Sequence, residues 1–489
     1  MFPTEILLTI FKIVYMQNRE EVMDEREFYF SSSSLVPEIV GKYKCIWRRD
    51  EELRYPCLFP YNIASVCAKW RATAASVPAF WTRVVFFLDS GPEGSSLVDL
   101  QHQLQWSRDL PLEITLGRMN LGDNFMYDMG EAARVRSAME LLLPHISRWH
   151  MFYISTIRSS SLPVILKELR GTSPILKILR LECEGDDADD DLNVYGRDVF
   201  ICPALHNFDI DGANFLRLRN AYGGEWVTQL VPQLEYLSVS VLSPAEEEEG
   251  NGGEGETDGE RVSGAEEKEG INRPEKGRLN LDMFLGEVAK LTSLRQLILK
   301  SIIFNDILLL GIHEIHHFSP TLDTLVLEDL SVSALLSILF DCNYPGLTTL
   351  KLARCPLDAM PEGFLPDIPC LVLQDLAPTV NVMEIVDRWH GMGLEIVGCP
   401  TFDDTVLKRL SVPGVGVSIE ELAIIDCTNF SVSVLQKMVE SRLPWAWPMQ
   451  ILKVTGEGPA MTDDERAWFG NHVAEFSYEV VLADPERLT

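Results

Sequence analysis

The residues His313-Glu314-Ile315-His316-His317 contain the pattern H-E-x-x-H. On a helix this spacing sets two imidazoles one turn apart with a carboxylate beside them, which is how zinc peptidases hold their metal and their general base. A catalytic zinc needs a third protein ligand as well as a water. Here Phe318-Ser319-Pro320 follows, and the next carboxylates, Asp323 and Glu328, belong to a different, recurring phrase. The ten cysteines form no C-x-x-C pair, and the chain has no G-x-S-x-G elbow or G-x-x-x-x-G-K-[ST] phosphate loop. A zinc metallopeptidase acting through His313, Glu314 and His317 is therefore a remote alternative. The favoured reading has the histidines closing a helix, where they complement the negative end of its dipole, and the chain as non-catalytic.

The elements around this stretch carry a stronger signal. A phrase of the form Pro-x-Leu-x-x-Leu-x-Leu returns as "SPILKILRL", "CPALHNFDI", "VPQLEYLSV", "LTSLRQLIL", "SPTLDTLVL" and "YPGLTTLKL", with weaker copies at Ile146, Ile368, Ile419 and Met449 and a degraded one near Leu394. The intervals cluster at about 20–30 residues or twice that, the period of leucine-rich repeats. Each phrase reads as a short strand with alternate side chains buried, and the segments between them, such as "VSALLSILFD" and "SVSVLQKMVESR", read as helices. Neither face can be buried alone, so the expectation is an α/β solenoid with parallel strands on its concave face and helices on its convex face.

Composition narrows the function. The chain has 489 residues, 46% hydrophobic and 24% charged, with a net charge of -31. Such an acidic chain is expected to bind neither nucleic acid nor an anionic membrane surface. Cys67, Cys183, Cys355 and Cys427 sit in apolar contexts that suit small buried hydrophobes in a reducing compartment. Glu5 interrupts the first apolar run, so no secretory signal is expected, and the localisation reading is cytoplasmic or nuclear. The acidic, glycine-rich segment 244–278 is expected to be a disordered loop interrupting the repeats.

At the N-terminus, Pro3 and Glu5 suit a first helical turn, followed by Ile6, Leu7, Ile10, Phe11 and Val14 at helical spacing. Ile63, Val66, Cys67, Trp70 and Val77 predict the stripe of a second helix that Pro78 stops, with Phe80 and Trp81 placed to cover it.

The run Phe2-Pro3-Thr4-Glu5-Ile6-Leu7, Ile10-Phe11, then Val66-Cys67-x-x-Trp70-Arg71, then Phe80-Trp81, resembles the F-box motif of fungal F-box-like proteins with C-terminal leucine-rich repeats. Phe2 stands where that family has leucine, and the insertion 17–56 separates helices that the family joins by a short loop. The resemblance implies an F-box-like helical module over 1–90, a linker and first capping segment over 91–145, and a leucine-rich-repeat solenoid over 146–489. It implies a substrate receptor of a Skp-cullin-F-box type ubiquitin ligase that holds a Skp-type adaptor and cullin complex at one end and an unknown protein substrate at the other, with no cofactor. Adaptor contacts would map to Pro3, Glu5, Ile6, Leu7, Ile10 and Phe11, and the F-box core to Val66, Cys67, Trp70 and Trp81. Strand alternation puts the target-binding concave face at Arg180, Asp209, Asp211, Tyr236, Lys300, Glu328 and Lys351. A leucine-rich-repeat interaction scaffold unconnected to ubiquitin is the alternative.

Overall fold

The computed structural model describes residues 3–16, 59–91, 94–118, 128–185, 199–226, 231–242, 279–304, 315–361, 363–412, 416, 418–444 and 448–481. The insertion 17–56, the segment 244–278 and the H-E-x-x-H residues His313 and Glu314 lie outside the described residues.

Helix α1 covers residues 4–16, followed by α2 (Tyr61–Val66), α3 (Ala68–Ala75) and a 3-10 turn at Pro78–Trp81. The chain then alternates: β1 (Arg83–Phe87), α4 (Leu97–Trp106), β2 (Leu112–Gly117), α5 (Glu131–Leu142), β3 (Trp149–Arg158). Next come β4 (Gly171–Thr172), β5 (Ile178–Gly185), β6 (Phe200–Ile201), β7 (Asn207–Asp211), α6 (Gly212–Tyr222) and β8 (Tyr236–Leu242). The middle holds α7 (Leu281–Val288), β9 (Gln296–Ile302), β10 (His316–His317), β11 (Thr324–Glu328), α8 (Val332–Phe340), β12 (Cys342–Asn343) and β13 (Thr349–Ala353). The last part is β14 (Cys370–Gln374), α9 (Val382–Arg388), β15 (Gly393–Val397), α10 (Asp404–Leu410), β16 (Glu421–Ile425), α11 (Val432–Arg442), β17 (Ile451–Glu457), α12 (Asp463–His472) and β18 (Glu475–Val481).

Fourteen of these strands form one open sheet, and each pairs in parallel with the main-sheet strands before and after it in the chain; β1 and β18 are its edges. The molecule is thus mixed α/β. The register is constant: Leu179, Phe208, Leu237, Leu297, Leu325, Leu350, Leu371, Leu394, Leu422 and Leu452 are cross-strand partners in one unbroken row. All are buried, and helices α4 to α12 contribute side chains to the same cluster. Burial of each such leucine stabilises by about 1.5–3 kcal/mol. A register slip of one residue would turn the whole row to the other face.

The sheet begins at Arg83, not at 146. The stretch expected to be linker and cap supplies α4, β2 and α5, and the expected module supplies β1. These first strands bury Val84, Phe86, Ile114 and Leu116, an alternation without the Leu-x-Leu phrase.

Two local devices repeat. Helix starts are capped by short polar side chains: Ser96, Asp211, Asn280, Ser331, Asn381 and Asp403 each accept a hydrogen bond from a backbone N–H of the first turn, and Thr462 with Glu465 forms a capping box. At the strand ends, Val241, Ser301, Asp329, Arg354, Asp375, Gly398, Asp426 and Gly456 occupy the same register position, each with φ between 48° and 77°. The N–H groups of Asp329, Arg354, Asp375, Gly398 and Asp426 donate to the carbonyls of Ala353, Gln374, Val397, Ile425 and Thr455 on the next strand. A left-handed non-glycine residue costs about 1–2 kcal/mol, which these interstrand bonds offset. Cys355, Cys399 and Cys427 follow this position and donate to the carbonyls of Leu327, Leu373 and Ile396 of the preceding strand. Cys183, Cys355 and Cys427 are buried, whereas Cys67 is exposed.

Candidate functional site

Three places carry side chains suited to binding or chemistry. The first is the N-terminal helix. Leu7 and Phe11 are buried against Phe59, Ile63, Phe80 and Trp81, with Phe11 edge-on to Trp70 at 5.1 Å. Trp81 Nε1 donates to the Ala74 carbonyl at 2.9 Å, and its ring lies 4.5 Å from Trp106 of α4, joining the module to the sheet. Of the residues expected to meet a partner, Leu7 and Phe11 are therefore core. Pro3, Glu5, Ile6 and Ile10 are exposed, Ile6 and Ile10 at 48% and 40%, and Ile13 and Met16 continue their side of the helix in the open. One helix thus has two apolar faces, because positions i and i+1 diverge by about 100° around the axis.

The expected second helix is two. Cys67 is extended (φ -165°, ψ 166°) and breaks the run between α2 and α3. That break rotates the phase, so the inward residues are Ile63, Ala64, Thr73 and Ala74. Val66 and Cys67, expected in the core, are exposed; Trp70 is half-buried and Trp81 is fully buried.

The second place is the sheet face opposite the leucine row. Over β3 to β8 it carries a polar network centred on Arg180. Arg180 Nε lies 2.6 Å from Asp209 Oδ2 and its Nη2 2.5 Å from Glu182 Oε1, while Tyr153 Oη donates to Glu182 at 3.0 Å and the guanidinium stacks over the Tyr153 ring. Burial pushes the Asp209 carboxyl up, and Arg180, Ser238 and Tyr236 pull it back; burial and the Asp209 charge together push the Tyr236 phenol well up. Asp211, expected on this face, is completely buried. It caps α6 by accepting from Asn214 N at 3.0 Å and Asn214 Nδ2 at 2.8 Å, because here a helix starts directly at the strand end. Further along, Lys300 Nζ pairs with Glu328 at 3.1 Å, and Arg354 also contacts Glu328. Lys300 is exposed and Lys351 half-buried.

Over β13 to β18 the same face is less well matched. Glu395 is only 3% exposed, and its Oε2 has no hydrogen-bond partner. Its register neighbours are Val372 and Ala423. Burial lifts this carboxyl to about 7, with Lys351 pulling the other way. Glu421, beside Gly393, is also raised, by burial and then by Glu420, with Lys453 opposing and Glu475 adding. Lys453 pairs with Glu475 at 2.8 Å. Sequence reasoning missed Glu395 because its strand, "GLEIV", is the degraded copy of the phrase.

The third place is the histidine stretch. His316 and His317 form β10, paired with β12, and the helix that the histidines are expected to close falls on residues 305–314, outside the described residues. His316 Nε2 lies 2.8 Å from Asp282 Oδ1, and its ring packs against Gly286 of α7, where an added Cβ would sit 3.3 Å from Cε1. Among the described residues no group of three His, Cys, Asp or Glu side chains is placed to hold a metal, and no helix is long and apolar enough to cross a membrane. No family model and no curated protein matches the chain.

Proposed function

We propose that the chain is a substrate-recognition subunit of a Skp-cullin-F-box type ubiquitin ligase: an F-box-like helical module that binds a Skp-type adaptor, followed by a leucine-rich-repeat solenoid whose concave face holds a target protein. The observation that carries this reading is the doubled face of α1. Leu7 and Phe11 already complete the module's core, yet Ile6, Ile10 and Ile13 remain in solvent on the same helix. An amphipathic helix that keeps branched aliphatic side chains exposed at i, i+4 and i+7 presents the pattern of anchors used in helix-mediated recognition. The long sheet face, set on the same body, would hold the target. Such a receptor acts by proximity, raising the effective concentration of target lysines near a separate conjugating enzyme.

The test is co-purification of the full chain with a Skp-type adaptor. The double variant Ile6→Asp, Ile10→Asp is expected to abolish binding with an unchanged unfolding midpoint, since both side chains are exposed. Leu7→Asp is expected to lose binding and fold together. No adaptor binding by the intact chain would overturn the ligase reading, and target capture without it would favour the interaction scaffold.

A further inference from the structure

The two edges of the long sheet end differently. At β1 the outward backbone is taken up within the chain: the Phe87 N–H donates to Ser95 Oγ at 2.8 Å, the Phe87 carbonyl accepts from Ser95 N at 3.1 Å, and the Arg83 carbonyl accepts from Gln103 Nε2. At β18 the Glu475 N–H donates back to the Gln450 carbonyl at 2.9 Å. By the alternation of a parallel ladder, Ser477 and Glu479 also face β17, and the backbone N–H groups of Phe476, Tyr478 and Val480 point outward. Among the described residues no strand pairs with that side. The Tyr478 carbonyl is met there by the side chain of the exposed Arg466, at 3.0 Å. Glu475 and Glu479 are exposed on the sheet face that carries Lys453, while Phe476 and Val480 are half-buried on the leucine side.

We infer that β18 is a docking edge for an extended segment of a partner protein, which adds a further strand and carries two basic residues with apolar residues between them. Outward N–H groups in a row need carbonyls at strand spacing, and an extended backbone brings them. The alternation of faces then fixes the side chains. Positions opposite Glu475 and Glu479 take lysine or arginine, those opposite Phe476 and Tyr478 take apolar residues that lengthen the core row, and the one opposite Ser477 is polar. That order reads the same in both chain directions, so it serves parallel and antiparallel addition alike. Lys453 is held by Glu475 at 2.8 Å, whereas Glu479 has Thr455 and Ser477 beside it and, among the described residues, no cation paired with it. A second copy of the chain fits less well. An antiparallel pair centred on Ser477 would set Glu475 against Glu479, and the net charge of -31 adds to that repulsion. The edge lies at the other end of the sheet from β1, so it stands whether or not α1 binds an adaptor.

Fluorescence anisotropy of the full chain, without adaptor, tests this with the labelled peptide glycine-lysine-valine-threonine-valine-lysine-glycine. Two further peptides are compared: one with glutamates in place of the lysines, and one with three prolines in place of the valine-threonine-valine centre, which keeps both charges and has no central N–H. The lysine peptide is expected to bind, the glutamate peptide about tenfold more weakly, and the proline peptide not at all. Glu479→Lys, at an exposed position, is expected to weaken the lysine peptide about fivefold and to strengthen the glutamate peptide by a similar factor, with an unchanged unfolding midpoint. Val480→Pro removes an outward N–H without breaking the ladder to β17 and is expected to weaken the lysine peptide about tenfold. Should Val480→Pro fail to fold, the proline peptide is read in its place. No binding of the lysine peptide, equal binding of the proline peptide, or no effect of Glu479→Lys overturns the proposal. A dimer of the free chain in sedimentation that Val480→Pro dissolves gives the edge to a second copy and overturns it too. Adaptor co-purification is read separately, so failure of the ligase reading and failure of the docking edge give different results.

Discussion

Two buried acids on one sheet face have opposite surroundings. Asp209 on β7 is met by Arg180, Ser238 and Tyr236, whereas Glu395 on β15 has one oxygen with no partner. Both sit at the same register position of a parallel strand, so backbone geometry does not separate them. The difference is the set of neighbours on adjacent strands: an arginine and a serine flank Asp209, and a valine and an alanine flank Glu395. A matched acid holds the fold together. An unmatched one subtracts stability.

Breaking the matched end should have the largest effect. Arg180→Ala leaves Asp209 buried without its counter-charge and is expected to cost about 3 kcal/mol at pH 8 in denaturant unfolding, and less as the pH is lowered, because burial pushes the Asp209 carboxyl up. A small, pH-independent loss would show that the network contributes little. Glu395→Gln should act with the opposite sign. The folded carboxyl titrates near 7, above an ordinary glutamate, so the folded state binds more protons than the unfolded one and stability falls as pH rises between about 4.3 and 7. The variant is expected to gain about 2–3 kcal/mol at pH 8 and nothing at pH 4. Equal midpoints at pH 8 would mean that Glu395 is compensated in solution. A smaller effect sharpens the contrast: Lys351→Met removes the cation that pulls the Glu395 carboxyl down, and carboxyl-carbon NMR should show its titration moving up. The smallest concerns the middle of the face, where Lys300→Ala breaks an exposed pair with Glu328 and should change stability by about 0.5 kcal/mol or less.

The strand-and-helix alternation was legible because leucine spacing reports which side chains face a common core. From Leu179 to Leu452 the phrase and the observed register coincide residue by residue. The edge strands were missed at both ends. Val84 and Phe86 in β1, and Tyr478 with the partly buried Phe476 in β18, line the same face without leucine, and hydrophobic burial is not selective for the residue type. The site was less legible. Helical spacing grouped Ile6 with Leu7 and Ile10 with Phe11, although only one of each pair can face the core. One extended residue at Cys67 turned Val66 outward, and such a break has no periodicity to betray it. Asp211 could not be separated from a face residue without knowing that a helix begins at once behind it.

The left-handed residues at the strand ends make each unit's exit from the sheet a local event. Asp329 turns the chain and is bonded to Ala353 whatever path the backbone takes in between, and Arg354 does the same with Gln374. The intervening chain can therefore vary in length without disturbing alignment. From Ala353 to Cys370 it is brief, while from Leu242 to Gln296 it is several times longer, yet both strand pairs keep full register. For an evolving chain this is a form of modularity: segments can be gained or lost behind the strand while the surface in front of it stays in place.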